Sequence, residues 1–190
     1  MIVVLDEAQA QRQLQAGRLL CPACGGRLGP WGYATRRQLR QPGGRRSWLR
    51  PRRVCCTACG GTHVLLPAEC LPRRVDAVES IGAALLASAS GQGHRQIAEA
   101  LGVPADTVRG WLRRARQRAE WLRTQATSFA YQIDATLGGL PPRSSVLADA
   151  VEALGQLAAA VARRLGRLAP PWQVIAAFTG GQLLAPIRSG

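Results

Sequence analysis

The sequence contains no lysine: all 25 of its basic residues are arginine, set against 11 acids, for a formal net charge of +14. The choice of Arg over Lys, with abundant Ala, Gly and Leu, points to a G+C-rich genome rather than to a mechanism. The net charge itself is not explained that way. An excess this large favours a polyanionic partner, and nucleic acid is the commonest one for a compact protein. Histidine is scarce, with only His63 and His94, and neither a Ser/His/Asp arrangement nor a phosphate-cradling Gly-rich loop occurs. Long apolar runs are missing too. The longest uncharged one, 170–187, is interrupted by Gly180, Gly181 and Pro186, which argues against a membrane span. The opening MIVVLDEAQ has acids where a secretion signal has basic residues. A cytoplasmic protein is therefore expected, and in that compartment six cysteines serve a metal rather than disulfides.

What is present begins with two knuckles, CPACGG from Cys21 and CTACGG from Cys56. Two cysteines two residues apart, followed by Gly to free the backbone, let thiolates and backbone N–H groups converge on one ion. Cys21, Cys24, Cys56 and Cys59 together complete a tetrahedral four-thiolate site, for which zinc is the default metal and an iron–sulfur cluster the weaker option. With all four positions filled, the metal holds the fold and does no chemistry. Cys55 and His63 are alternative ligands, although His63 fits better in a strand over 62–66, hydrogen-bonding near the metal. Cys70 reads as a small buried hydrophobe. Ahead of the knuckles, Asp6 is placed to cap a helix from Glu7 to Ala16 that Gly17 stops.

The spacer between the knuckles, 25–55, is the most basic part of the chain, and no acid occurs between Ala8 and Ala68. Arg36, Arg37, Arg40, Arg45, Arg46, Arg50, Arg52 and Arg53 are interleaved with Trp31, Tyr33 and Trp48. Gln41-Pro-Gly-Gly44 reads as a turn between two extended arms. Such a hairpin, with its aromatics exposed, suits a phosphate backbone or a minor groove, with Arg36, Arg37, Arg45 and Arg46 as contacts. The alternative is a solvated basic loop with Trp31 and Tyr33 in the ribbon core.

Beyond Pro72 the period changes to helical. Val75, Val78, Ile81, Gly82, Leu85 and Leu86 share one face of a helix expected over 73–89. Ile97, Ala98 and Leu101 share another, Gly102-Val103-Pro104 makes a break, and Val108, Trp111, Leu112, Ala115 and Ala119 form a second seam. Two short amphipathic helices joined by a Gly-containing turn make a helix-turn-helix, and with the preceding helix a homeodomain-like unit. Its recognition helix presents Asp106, Arg109, Gly110 and Arg113, with Thr107 at the cap. Arg109 and Arg113 are candidates for reading guanine. Arg95, Arg114, Arg116 and Arg118 are candidate phosphate clamps. After the turn at 138–142, Ser144 or Ser145 caps a long helix to about Leu168. Its seam of Leu147, Val151, Leu154, Ala158, Val161, Leu165 and Leu168 either packs within the chain or serves as a homodimer interface over 146–168. Trp172 to Phe178 forms a last short helix.

Three stretches, CPACGGRL with WGY, RRVCCTACGGTHVLLP and GHRQIAEALGVPADTVRGWLRRAR, carry a resemblance. Over about residues 18–124 the chain resembles a group of uncharacterised bacterial, mostly actinobacterial, proteins that join a zinc ribbon to a helix-turn-helix. The same order is similar to the N-terminal DNA-binding part of insertion-element transposases, which implies binding of element ends or a promoter. A transposase needs carboxylates to hold two divalent ions, and past the helix-turn-helix only Glu120, Asp134, Asp149 and Glu152 occur. The expectation is thus a mainly α protein with four parts: a packing segment (1–17), a zinc ribbon with basic hairpin (18–68), a helix-turn-helix domain (73–123) and a C-terminal helical hairpin (124–190). It acts without catalysis, as a zinc-dependent, sequence-specific binder of double-stranded DNA in the cytoplasm, associated with the nucleoid. Its role is that of a transposon-associated accessory protein or truncated transposase, with a transposase as protein partner, or else of a transcriptional regulator. A protein–protein adaptor and an RNA-binding protein are the alternatives of another class.

Overall fold

The computed structural model describes residues 1–139, 141–166 and 169–186. Strand β1 (Ile2–Val4) leads into helix α1 (Glu7–Gln15), whose N-cap Asp6 accepts a 2.9 Å hydrogen bond from the Gln9 N–H. Gly17, at φ +62°, ends it. Strand β2 (Leu28–Tyr33) follows the first knuckle. The chain then leaves the sheet for a separate hairpin of β3 (Arg37–Arg40) and β4 (Arg46–Leu49), joined by a 3-10 turn at Pro42–Gly44. It returns as β5 (Arg52–Cys56) and, after the second knuckle, β6 (Thr62–Pro67). The four-stranded sheet has the order β1-β6-β5-β2, with β1 parallel to β6 and the other pairs antiparallel. Val4, Ala10, Leu14, Leu28, Val54 and Leu65 close a small core over one side of the cysteines.

The rest is helical: α2 (Val78–Ala89), α3 (His94–Leu101), α4 (Ala105–Ile133), α5 (Val146–Leu165) and α6 (Pro171–Phe178), with a 3-10 turn at Gln182–Leu184. One apolar core runs through all of them, from Leu71 to Leu184. Fully buried Leu112, Leu122, Leu154 and Leu157 each contribute about 1.5–3 kcal/mol by leaving water. Ser145, rather than Ser144, caps α5, its hydroxyl accepting from the Ala148 N–H at 3.2 Å. At the far end of the α4–α5 pair, buried Asp134 takes ion pairs from Arg164 (2.7 Å) and Arg163 (3.3 Å) and a 2.6 Å hydrogen bond from the Thr136 hydroxyl. No helix among the described residues is long and apolar enough to cross a membrane.

Three expectations are corrected. Helix α2 starts at Val78, not Arg73, because Arg73 takes φ +58° and the backbone at Val75 and Ala77 is engaged by Arg40 of the hairpin. Val75 and Leu86, expected on its buried face, are exposed. The boundary expected at 123/124 falls in the middle of α4, which is continuous and packs along α5. Of the two readings of the α5 seam, packing within the chain is the one seen for Leu147, Val151, Leu154, Ala158 and Val161, which are buried. Leu165 is exposed, and Leu168 lies outside the described residues.

Candidate functional site

Two turns of the same construction bring the cysteines together. In the first, the Cys21 N–H donates to the Gly26 carbonyl (2.8 Å) and the Gly25 N–H to the Cys21 carbonyl (2.9 Å). In the second, the Cys56 N–H donates to Gly61 (2.9 Å) and the Gly60 N–H to Cys56 (3.0 Å). Gly25 and Gly60 both have left-handed backbones, at φ +71° and +69°, where a side chain is strained. Gly26 is required for a different reason. A Cβ there would stand 2.7 Å from Ala58 Cβ and 3.0 Å from Cys56 Sγ, filling the cradle between the turns.

The four sulfurs of Cys21, Cys24, Cys56 and Cys59 lie within 4.8 Å of one another, with no disulfide. Two separations are 3.5 Å (Cys24 to Cys56) and 3.9 Å (Cys21 to Cys59). A tetrahedron with metal–sulfur bonds of about 2.3 Å has edges of about 3.8 Å, so the cluster fits a metal ion. Its electrostatics point the same way. The N–H groups of Cys59 and Ala58 pull the Cys56 thiol down to about 6. Cys24, although the Gly26 N–H favours its thiolate, is pushed up to about 12 by Cys59 and Cys56. Four thiolates this close need a cation to ionise together. Cys55 is not among them: its sulfur turns to the Gly60 carbonyl at 3.5 Å. His63, on β6, places Nε2 3.4 Å from the Cys21 sulfur, beside the cluster as a hydrogen-bonding neighbour.

Residues 21–111 match the family model described as a domain of unknown function, DUF6431. No curated protein and no solved structure matches the chain. The matched stretch runs from the first knuckle cysteine to Trp111 in α4, so it takes in the cysteine cluster, the hairpin and α2–α3. The expected border at 68–73 lies inside it.

The basic residues divide by environment. On α4, Val108, Trp111, Leu112 and Ala115 are buried, while Asp106, Arg109, Arg113 and Arg116 are exposed on the other side. Gly102, at φ +62°, ends α3, and Val103 is buried in the turn. Arg109 pairs with Asp106 one turn earlier (3.0 Å), and Arg116 donates to Ser88 on α2 (3.3 Å). Half-buried Thr107 and Gly110 lie at the margin of this face. Arg114 is also half-buried and folds back to donate to the Gly110 carbonyl at 3.1 Å. Arg95 is exposed on α3.

Arg118 does not join that face. Positions 111, 115, 118 and 122 step by four, three and four, which puts Arg118 in the buried seam. Its guanidinium lies 4.0 Å over the Trp121 ring and donates to the Gln182 side chain at 3.3 Å. Arg37 is likewise withdrawn. Strand period two sets it on the same side as fully buried Leu39, and it donates to the carbonyls of Arg74 and Leu71. Both periods were visible in the sequence, and the arginine identities masked them. Arg36, Arg45 and Arg46 are exposed, as are Trp31, Tyr33 and Trp48, which leaves the ribbon core without these aromatics.

Proposed function

We propose that the protein is a zinc-dependent binder of double-stranded DNA, with α3, the Gly102–Pro104 turn and α4 acting as a helix-turn-helix. The observation that carries this is the two-sided character of α4. Its apolar side is locked into the core of α2 and α3, while Asp106, Arg109, Arg113 and Arg116 face solvent. An exposed helix face with several arginines and a rigid backing suits the major groove, where a guanidinium fork matches the two acceptors of guanine. Arg109 and Arg113 are assigned to base edges, and Arg95 and Arg116 to phosphates. Zinc is assigned to the four thiolates as a structural ion, because a closed all-sulfur tetrahedron leaves no open position for chemistry.

The protein acts by binding. The acids beyond α3 are drawn into contacts within the chain rather than gathered into a metal-holding group, beginning with Asp106 on Arg109. Glu120 pairs with Arg123, Asp134 with Arg163 and Arg164, and Glu152 with Arg143, whose backbone N–H also donates to Asp149. The outcome of binding then depends on a partner or on occlusion. This fits an accessory protein or truncated transposase of a mobile element, and equally a transcriptional regulator.

Fluorescence anisotropy with the zinc-loaded protein and labelled duplexes tests the reading. The expected result is salt-sensitive binding that Arg109→Ala and Arg113→Ala weaken while the melting temperature stays put. Binding indifferent to both substitutions would instead favour a protein–protein adaptor.

A further inference from the structure

The hairpin is not a free arm. The Arg40 N–H donates to the Val75 carbonyl (2.6 Å) and the Ala77 N–H to the Arg40 carbonyl (2.9 Å), so β3 continues by backbone pairing into the segment before α2. Arg40 Nε stands 3.0 Å from buried Asp76, and the Gln41 amide donates to Glu69 at 3.0 Å. Leu39 is fully buried among Leu66, Cys70 and Ala77. Since Ala77 is the N-cap of α2, these contacts tie the hairpin to the three-helix unit.

The other side of the hairpin is open. Gln38, Arg40, Gly44, Arg46, Val75 and Gly102 line a cleft of about 440 Å³. Gly102 is the first residue of the turn into α4, so the basic hairpin stands next to the end of α4 that carries Asp106 and Arg109. Arg36 lies 4.5 Å over the Trp48 ring, and Arg50 (5.1 Å) and Arg52 (4.9 Å) flank Tyr33. These half-exposed rings hold guanidinium groups in place while leaving their N–H edges available. Asp76 is paired with Arg40 and Glu69 accepts from Gln41, and among the described residues Arg45 and Arg46 make no ion pair.

Resting on the DNA-binding reading above, we infer that the β3–β4 hairpin is a second, fixed arm of the same interface. Arg36, Arg45 and Arg46 contact the phosphate backbone flanking the groove that α4 enters, and Arg37 and Arg40 brace the arm. Exposed Arg46 lines the cleft between the arm and the turn, beside the ion-paired Arg40, a place that suits a sugar–phosphate strand, and the rigid mounting spares the ordering cost of a flexible basic tail.

The test compares the zinc-loaded full chain with Arg45→Ala/Arg46→Ala and with Arg109→Ala. It uses a random-sequence duplex pool, a single-stranded DNA pool and hydroxyl-radical footprinting of a bound duplex, with melting curves as the check on folding. Both hairpin residues are exposed, so the double variant is expected to melt like the parent. Loss of two phosphate contacts lowers the salt slope by about 1.8, so the parent's advantage on duplex shrinks about tenfold between about 50 and 200 mM salt. The footprint is expected to recede on one flank only. An unchanged slope and footprint in the double variant, with Arg109→Ala still impaired, overturns the arm and leaves the α4 reading standing. A defect confined to single strands overturns it in favour of a stacking platform. Absence of duplex binding by the parent overturns both.

Discussion

At Gly82 an added methyl group would fall 2.1 Å from the indole of Trp172, which lies directly across α2. Gly82→Ala is therefore expected to lift α6 from α2 and cost about 1–3 kcal/mol, or several degrees in melting temperature for a chain of this length. An unchanged melting curve would mean that Trp172 packs elsewhere. Two buried aspartates make an opposed pair. Hydrogen bonds from Arg164 and Thr136 hold Asp134 well below the usual carboxylate range, whereas burial raises Asp76 despite Arg40 and Arg74. A lowered folded value means that Asp134 stabilises above the unfolded value of about 3.9 and that this is lost as pH falls through the folded one. A raised value has the reverse sign: Asp76 favours the folded state most when protonated, and that contribution fades as pH rises through its folded value. Thermal unfolding at neutral pH should thus show Asp134→Asn clearly destabilised and Asp76→Asn much less so. Equal losses would contradict the assignment.

At the scale of elements, the arginines of α3 and α4 separate into two kinds with separable phenotypes. Arg118→Ala removes a group stacked on Trp121 inside the seam, so it should lower the melting temperature and leave the salt slope of duplex binding nearly unchanged. Arg95→Ala removes an exposed group on α3 and should do the opposite, lowering the slope by about 0.9 at constant melting temperature. Salt titration and calorimetry on the two variants decide this, and a reduced slope from Arg118→Ala at parental stability would contradict the burial argument. Elements set by neighbours in sequence were legible beforehand. The paired CxxCGG turns, the Asp6 cap, the hairpin turn at Pro42–Gly44 and the break at Gly102–Pro104 all follow from local chemistry. The start of α2 was not, because residues 73–77 look helical until Arg40, over thirty positions earlier, takes their backbone groups. The exposure of Trp31, Tyr33 and Trp48 agrees with a basic hairpin that keeps its aromatics outside; what the sequence did not show is that Arg36 stacks on Trp48 and Arg50 and Arg52 on Tyr33.

At the scale of the molecule, the cysteine cluster and the helical core are coupled. The hairpin leaves the sheet between β2 and β5, which the knuckles anchor, and is pinned at its other side to the segment before α2. Structural zinc in such sites is worth on the order of 10 kcal/mol, so a strong chelator, or Cys24→Ser, should unfold the ribbon and loosen the arm, with α4–α5 surviving. Circular dichroism and hydrogen exchange on the chelated protein test this, and an unaltered exchange pattern across 21–61 would refute it. Sequence-directed recognition of duplex DNA is the task proposed for α4. The most direct measurement is selection of binding sites from a random duplex library by the zinc-loaded protein at physiological salt, in parallel with Arg109→Ala. The expected result is a short enriched motif containing guanine whose preference relaxes at one position in the variant. Recovery of no motif, or of the same motif with undiminished preference from the variant, would contradict it.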